Sequence, residues 1–131
     1  MAITTVEEAI RYTLINTSGV SAITTRVYPS SLPQNPTYPL ILYFRVTGSS
    51  DVALGGATGL QHPRFQIEAW AATYAAAKSL AAAIRTALNC QTFTVDSIRV
   101  GSIVIQSERD YYEPDVGIHR IIMDFMVWST E

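Results

Sequence analysis

The last apolar segment of the chain constrains the fold most, because its pattern repeats every two residues. Between residues 118 and 129, one set of alternate positions is mostly apolar: His119, Ile121, Met123, Phe125 and Val127. The other set mixes charge with apolar area: Arg120, Ile122, Asp124, Met126 and Trp128. Side chains of a β-strand alternate between the two sides of a sheet. The segment therefore predicts a strand with two different faces.

Other strands are predicted at 40–47, 62–71, 92–95 and 98–106, with a short one at 26–28. In the segment 40–47 we assign the apolar face to Leu40, Leu42, Phe44 and Val46. The connector 20–39 contains four prolines and is expected to be irregular. The segment 48–61 holds four of the seven glycines of the chain. It is predicted to be a long, mobile loop.

Two segments have helical spacing. The first, 6–15, places Val6, Ala9, Ile10, Thr13 and Leu14 on one side. It follows Thr4 and Thr5, with Glu7 and Glu8 three residues further on, as in a capping box. The second begins after Thr73, a good N-cap, and runs to about Asn89. Its predicted buried stripe is Ala76, Ala77, Leu80, Ala81, Ile84 and Leu88.

The element order is helix, strand, strand, helix, strand, strand. It predicts an α+β fold with a largely antiparallel sheet of four to five strands and two helices packed on one face. The 131 residues suit one domain spanning 1–131.

The composition favours an oligomer without a membrane or nucleic-acid partner. Only 15% of the residues are charged, so the surface has little polar cover, as in subunits with apolar interfaces. A marginally soluble monomer is the alternative explanation of this composition. The net charge of -2 and the scattered basic residues argue against binding of nucleic-acid phosphates. We expect no signal peptide and no membrane span. The single cysteine, Cys90, excludes an internal disulfide and fits a reducing cytosol.

No residue pattern indicates catalysis, a cofactor or a metal site. His62 and His119 have no second ligand at metal spacing. Cys90 follows a helix C-terminus, which disfavours a thiolate, and is expected to be a packing residue. The segment GGATG (55–59) lacks the lysine of a P-loop.

Three carboxylates, Asp110, Glu113 and Asp115, fall close together in a predicted polar loop that includes 108–114. We interpret them as a solvated acidic turn, since acid–base catalysis needs a pocket that separates the pKa values of paired carboxylates. A small hydrolase that uses this loop stays as an alternative.

Three stretches carry a resemblance to a known family: RVYPSSLPQNPTYPLILYFRVTG, RFQIEAWAATYAAAKSLAAAIRTAL and SERDYYEPDVGIHRIIMDFMVW. Over 9–128 the chain resembles a family of small tailed-phage and prophage proteins associated with tail completion. The resemblance implies an α+β subunit similar to the tail terminator of phage lambda. Such proteins form hexameric rings at the head-proximal end of the tail tube, stop its polymerisation and receive the head connector.

The implied partners are further copies of the chain, the tail tube protein and the head-tail connector protein, with DNA passing through without specific binding. The implied location is the virion, after assembly in the cytoplasm of the bacterial host. Candidate contact residues are Asp51, Leu54, Leu60, Trp70, Arg109, Asp110, Tyr111, Tyr112, Glu113, Arg120 and Trp128. Two further alternatives stay open: a neck or head-completion adaptor, and a module that binds a peptide along a strand edge.

Overall fold

The computed structural model describes residues 3, 5–47, 50–53 and 56–130, and for 50–53 and 56–60 it describes the backbone alone. The helices are α1 (Val6–Asn16), α2 (Ser18–Ser21) and α3 (Tyr74–Leu88). The strands are β1 (Val27–Pro29), β2 (Leu40–Thr47), β3 (Ser50–Ala53), β4 (Gly56–Gln61), β5 (Arg64–Ala71), β6 (Phe93–Val95), β7 (Ile98–Glu113) and β8 (Ile118–Thr130).

All eight strands belong to one sheet, in which β8 lies between β5 and β7. The pair β1–β2 is parallel and every other pair is antiparallel. Thr47 pairs with Arg64 and Ser50 with Gln61, so β3 and β4 prolong the β2–β5 hairpin. Counted in this way the sheet has six strands, of which four are long and two, β1 and β6, have three residues each. The α+β class and the antiparallel character are confirmed, whereas four to five strands was too few.

Both long helices pack on one face of the sheet, as predicted. The fully buried positions of α1 are Val6, Ala9, Ile10 and Leu14, and those of α3 are Ala77, Leu80, Ala81, Ile84 and Leu88. They meet Phe65, Ile67, Ala69, Ile121, Met123, Phe125 and Val127 of the central strands in a single core. The predicted period of two in 118–129 is therefore confirmed, with the odd-numbered positions from Ile121 to Val127 inside.

Side-chain caps begin both helices. The Thr5 hydroxyl accepts the backbone N–H of Glu8 at 3.2 Å, and Thr73 accepts that of Ala76 at 3.2 Å. Ala76 was expected in the buried stripe but is exposed, because it lies about 100° around the helix from Ala77. Thr13 is only partly buried, and its hydroxyl donates to the carbonyl of Ala9.

The face assignment of β2 was wrong. Ile41 and Tyr43 enter the core, whereas Val46 is 45% exposed on the opposite face. The pairing of Ile41 with Ala69 and of Tyr43 with Ile67 fixes this orientation. Because both faces of β2 are apolar near its start, the pattern alone did not choose between them.

The predicted long, mobile loop at 48–61 is also corrected: Ser50–Ala53 and Gly56–Gln61 are paired strands. Leu60 pairs in turn with Thr130 of β8. Backbone pairing needs no large side chain, so small residues and glycines are compatible with this extension. Residues 48, 49, 54 and 55 lie outside the described part.

Two further predictions were wrong. The expected polar loop at 108–114 is mostly strand, because β7 runs to Glu113 and the turn begins after it. That turn ends at Gly117, whose φ of 68° suits glycine. Cys90, expected to pack, is exposed and has a φ of 62° just beyond α3. Cys90 therefore lies in the turn that follows α3 and not in the core.

Candidate assembly surface

The sheet face opposite the helices is called the open face. No described helix contributes to it, since the core residues of α1 and α3 lie on the other side. It includes a row of β8 side chains in which Ile122 is 5% exposed and Trp128 is 44% exposed. A solvated sheet face is normally polar. Exposed aromatic side chains on such a face, such as Trp128, are typical of a contact surface.

A buried carboxylate lies near one end of the open face. Glu68 of β5 is only 1% exposed. Its Oε1 accepts Nε1–H of Trp70 at 2.9 Å and two N–H groups of Arg120 at 2.7 and 3.0 Å. Its Oε2 accepts the side-chain amide of Gln66. Four donors thus satisfy a charge that would otherwise be costly to bury.

Arg120 joins this carboxylate to the β7–β8 hairpin. Its Nη1 donates to Glu113 at 2.6 Å, and its guanidinium lies 4.7 Å from the ring centre of Trp70 and 5.2 Å from that of Tyr111. Burial alone would lower the pKa of Arg120, but hydrogen bonds and charges of Glu68 and Glu113 raise it above its ordinary value. Arg120 therefore stays charged and holds three elements of the open face together.

The helix-facing side of β7 has its own ion pairs with α3. Asp110 accepts the Tyr74 hydroxyl at 2.6 Å and lies 3.1 Å from Nζ of Lys78. Glu108 pairs with Lys78 and Arg85. The hydrogen bond from Tyr74, followed by that from Lys78, holds the pKa of Asp110 below its ordinary value. These contacts attach the charged part of β7 to the helix.

Three aromatic rings line the same side. The ring centre of His119 is 4.7 Å from that of Tyr112 and 5.8 Å from that of Tyr74. Tyr112 nevertheless stays 50% exposed, and Tyr111, whose side chain lies on the open face, is 49% exposed. Tyr111 and Tyr112 are thus each packed on one side and about half exposed.

The structure brings together most of the candidate contact residues. Trp70, Asp110, Tyr111, Tyr112, Glu113 and Arg120 form a group, called the hairpin cluster, at one end of the β7–β8 hairpin. Arg109 is exposed on the same strand. Trp128 lies toward the other end of β8, near the pairing of Thr130 with Leu60. Asp51 lies on β3, and Leu54 lies outside the described residues.

The sequence interpretation missed Glu68, Tyr74, Lys78 and His119 as parts of this cluster. Glu68 carried a signal: a carboxylate within an apolar strand segment needs a buried partner. Tyr74 and Lys78 carried none, because their partners are 30 or more residues away.

The three carboxylates considered for catalysis do not converge. Asp110 contacts α3 on the helix side, Glu113 contacts Arg120 on the open face, and Asp115 lies in the turn beyond. Among the described residues, no three His, Cys, Asp or Glu side chains are placed to hold a metal ion. A groove of about 220 Å³ lies along α1, lined by residues such as Ile3, Arg11 and Tyr12, away from these carboxylates. This arrangement gives the hydrolase alternative no support.

The family model described as "Tail completion protein gp17" matches residues 8–130. A solved chain from the "Virion of native gene transfer agent (GTA) particle" has the same fold, with a TM-score of 0.69 and 20% identity. The match covers 93% of this chain and 92% of that one. No curated protein matches the chain. Within the described residues, no helix has the length and apolar character that a membrane crossing requires.

Proposed function

Because the chain belongs to the tail completion protein gp17 family, we propose that it is the tail terminator of a long-tailed phage or prophage. In this role six copies form a ring at the head-proximal end of the tail tube. The ring stops tube polymerisation and provides the surface to which the head-tail connector binds. The observation that carries the proposal is the family match over nearly the whole chain.

The surface chemistry supports a ring-forming role. A closed ring is built from heterologous contacts, so each subunit needs two different contact surfaces. The hairpin cluster and the part of the open face around Trp128 lie at opposite ends of β8 and differ in charge. The first combines ion pairs with tyrosines, whereas the second places the exposed Trp128 and Val104 near Met126 and Arg64. We assign the hairpin cluster to the contact between neighbouring subunits, and Asp51, Leu54, Leu60 and Trp128 to contacts with a neighbour or the tube.

The proposal also fits what is known of the solved relative. That protein belongs to a virion particle, as its name states, and its chain has the same length range and fold. A net charge of -2 suits a channel in which DNA phosphates move without being bound. Assembly would take place in the host cytoplasm, before the tail joins the head.

A deletion of the coding sequence tests the function in the particle. Without a terminator, tubes continue to polymerise and have no joining surface, so we expect tails of variable excess length and heads without tails. Electron microscopy of the lysate measures both properties, and the wild-type protein supplied in trans is the control. Tails of normal length attached to heads in the deletion strain would refute the proposal.

A further inference from the structure

One edge of β7 is free over its last part. β8 pairs along one side of the strand through Glu113, whereas β6 covers the other side only at Ile98–Val100. The segment after it is closed by the end of α3: Cys90 donates its N–H to the carbonyl of Ile103, and Asn89 accepts the N–H of Ile105. From 108 to 113, no described strand or loop pairs with this outer edge.

The hydrogen-bond alternation shows which backbone groups point outward. The backbone N–H of Val127 donates to the carbonyl of Pro63, on the β4–β5 side of β8. Backbone groups alternate in direction along a strand, so those of the odd-numbered residues of β8 point toward β5. Those of the even-numbered residues point toward β7. Arg109 pairs with Ile122 and Tyr111 with Arg120, so the backbone groups of Arg109 and Tyr111 bond to β8. It follows that Glu108, Asp110 and Tyr112 direct their N–H and C=O groups to the free edge.

This edge has only part of the usual protection against strand addition. Proteins protect exposed edges with charged side chains, proline or bulges. Four of the six residues at 108–113 are charged, and Arg109 is exposed. The segment 108–113 contains no proline, and both register shifts of β7 lie before it, between Val100 and Ser102 and between Ile105 and Ser107. The carboxylates of Glu108 and Asp110 are already paired with α3. Their contacts keep the strand extended instead of repelling a partner.

The opposite edge of the same sheet is the outer side of β2 and β3. There β1 covers only Ile41 to Tyr43. Beyond this point, no described strand lies outside Arg45–Thr47 or Ser50–Ala53, and Val46 is 45% exposed. β7 and β2 run in opposite directions within one subunit, because three antiparallel pairings separate them. A neighbour related by rotation about an axis along the strands would thus present an antiparallel strand.

We propose that the free edge of β7 at 108–113 pairs with the outer edge of β2–β3 of a second copy, so that the sheets of adjacent subunits become continuous. The inference rests on the proposed ring and specifies its contact. Tyr111 and Tyr112 lie on opposite faces of the edge strand and would cover the added strand from both sides. The contact is heterologous, as a closed ring requires.

A pair of variants at one position separates backbone pairing from side-chain contact. Tyr112→Ala removes the phenol side chain and keeps the outward backbone N–H. Tyr112→Pro removes both the phenol side chain and the N–H. The N–H of Tyr112 has no intramolecular partner in the proposed arrangement, so both monomers should have similar thermal midpoints. The concentration for half-maximal ring assembly should rise at least about tenfold more for proline than for alanine. Native mass spectrometry, with and without tail tubes, measures the concentration for half-maximal assembly.

Equal assembly by the alanine and proline variants would overturn the edge pairing while leaving the ring intact. If the wild-type protein forms no ring even with tubes, the proposed function itself fails. A second variant covers the case in which proline unfolds the monomer. Replacing Tyr112 by its α-hydroxy acid analogue keeps the ring of the side chain and removes only the N–H, and the same tenfold loss is expected against wild type.

Mixing identifies the partner edge. Tyr112→Pro retains an intact β2–β3 edge, so an untagged variant should be captured by tagged wild-type protein and should yield incomplete rings. If two β7 edges paired with each other instead, the variant would be excluded from wild-type assemblies. Failure to capture it would therefore overturn the assignment to β2–β3.

Discussion

At the residue scale, the central feature is the carboxylate of Glu68, which is nearly inaccessible to solvent and accepts four hydrogen bonds. Such a group adds little net stability when paired, but leaving it unpaired is costly. The sequence predicted Trp70 and Arg120 as candidate contact residues. It did not reveal that both bind the same carboxylate, because their partner is set by the register of two strands.

The first prediction concerns Arg120→Met, which removes the cation and keeps much of the side-chain volume. Glu68 then has no charged partner, and we expect the free energy of unfolding to fall by about 3 kcal/mol. Chemical denaturation of the variant measures this change. The double variant Glu68→Leu/Arg120→Met removes both charges and should recover most of the loss. A single-variant loss below about 1 kcal/mol would show that the pair is unimportant for stability.

The second prediction concerns Asp110, whose pKa is held below the ordinary 3.8 first by the Tyr74 hydroxyl and then by Lys78. A carboxylate with a lowered pKa adds stability above its unfolded pKa, and this stability disappears as the pH falls through the folded value. Tyr74→Phe removes the strongest donor, so the pKa of Asp110 should rise toward 3.8. Carbon-13 NMR titration measures it. An unchanged pKa would contradict the hydrogen bond.

At the scale of elements, long periodic segments were predicted well and polar strand segments were not. The stripe in α3 and the period of two in β8 arise from burial, which leaves a local pattern. The strand at 108–113 leaves none, because it is stabilised by ion pairs with α3 and with Arg120 of β8. Its charged residues give it a polar composition that is typical of loops. The extension formed by β3 and β4 was missed for a related reason, since small residues pair through the backbone alone.

The third prediction tests the hairpin cluster as a contact between subunits. Tyr111 and Tyr112 are each about half exposed, so their joint replacement by alanine should leave the monomer folded. A well-packed interface tyrosine contributes about 2 kcal/mol or more, and ring closure should therefore weaken. Circular dichroism with thermal melting measures folding, and light scattering in the presence of tail tubes measures assembly.

A matched control is Tyr12→Ala on α1, because Tyr12 is 48% exposed and lies outside the cluster. It should assemble as the wild type does. If the double variant instead lost much monomer stability while its folded fraction assembled normally, the tyrosines would serve the core of their own subunit and the contact role would be refuted.

At the scale of the whole molecule, the sheet has one face covered by helices and one open face that is only partly polar. This asymmetry agrees with the low charged fraction of the chain, since a subunit that buries surface against partners needs fewer charged residues. Composition and element order were enough to predict the α+β class and the apolar surface. They could not show which residues come together, because the hairpin cluster joins positions from three separate strands and binds residues of α3.

The most direct test of the central claim is electron microscopy of tail tubes assembled without this protein and then mixed with the purified chain. We expect a six-subunit ring at one end of each tube and no further growth when tube subunits are added. Binding along the tube wall, or continued elongation at both ends in the presence of excess protein, would contradict the central claim.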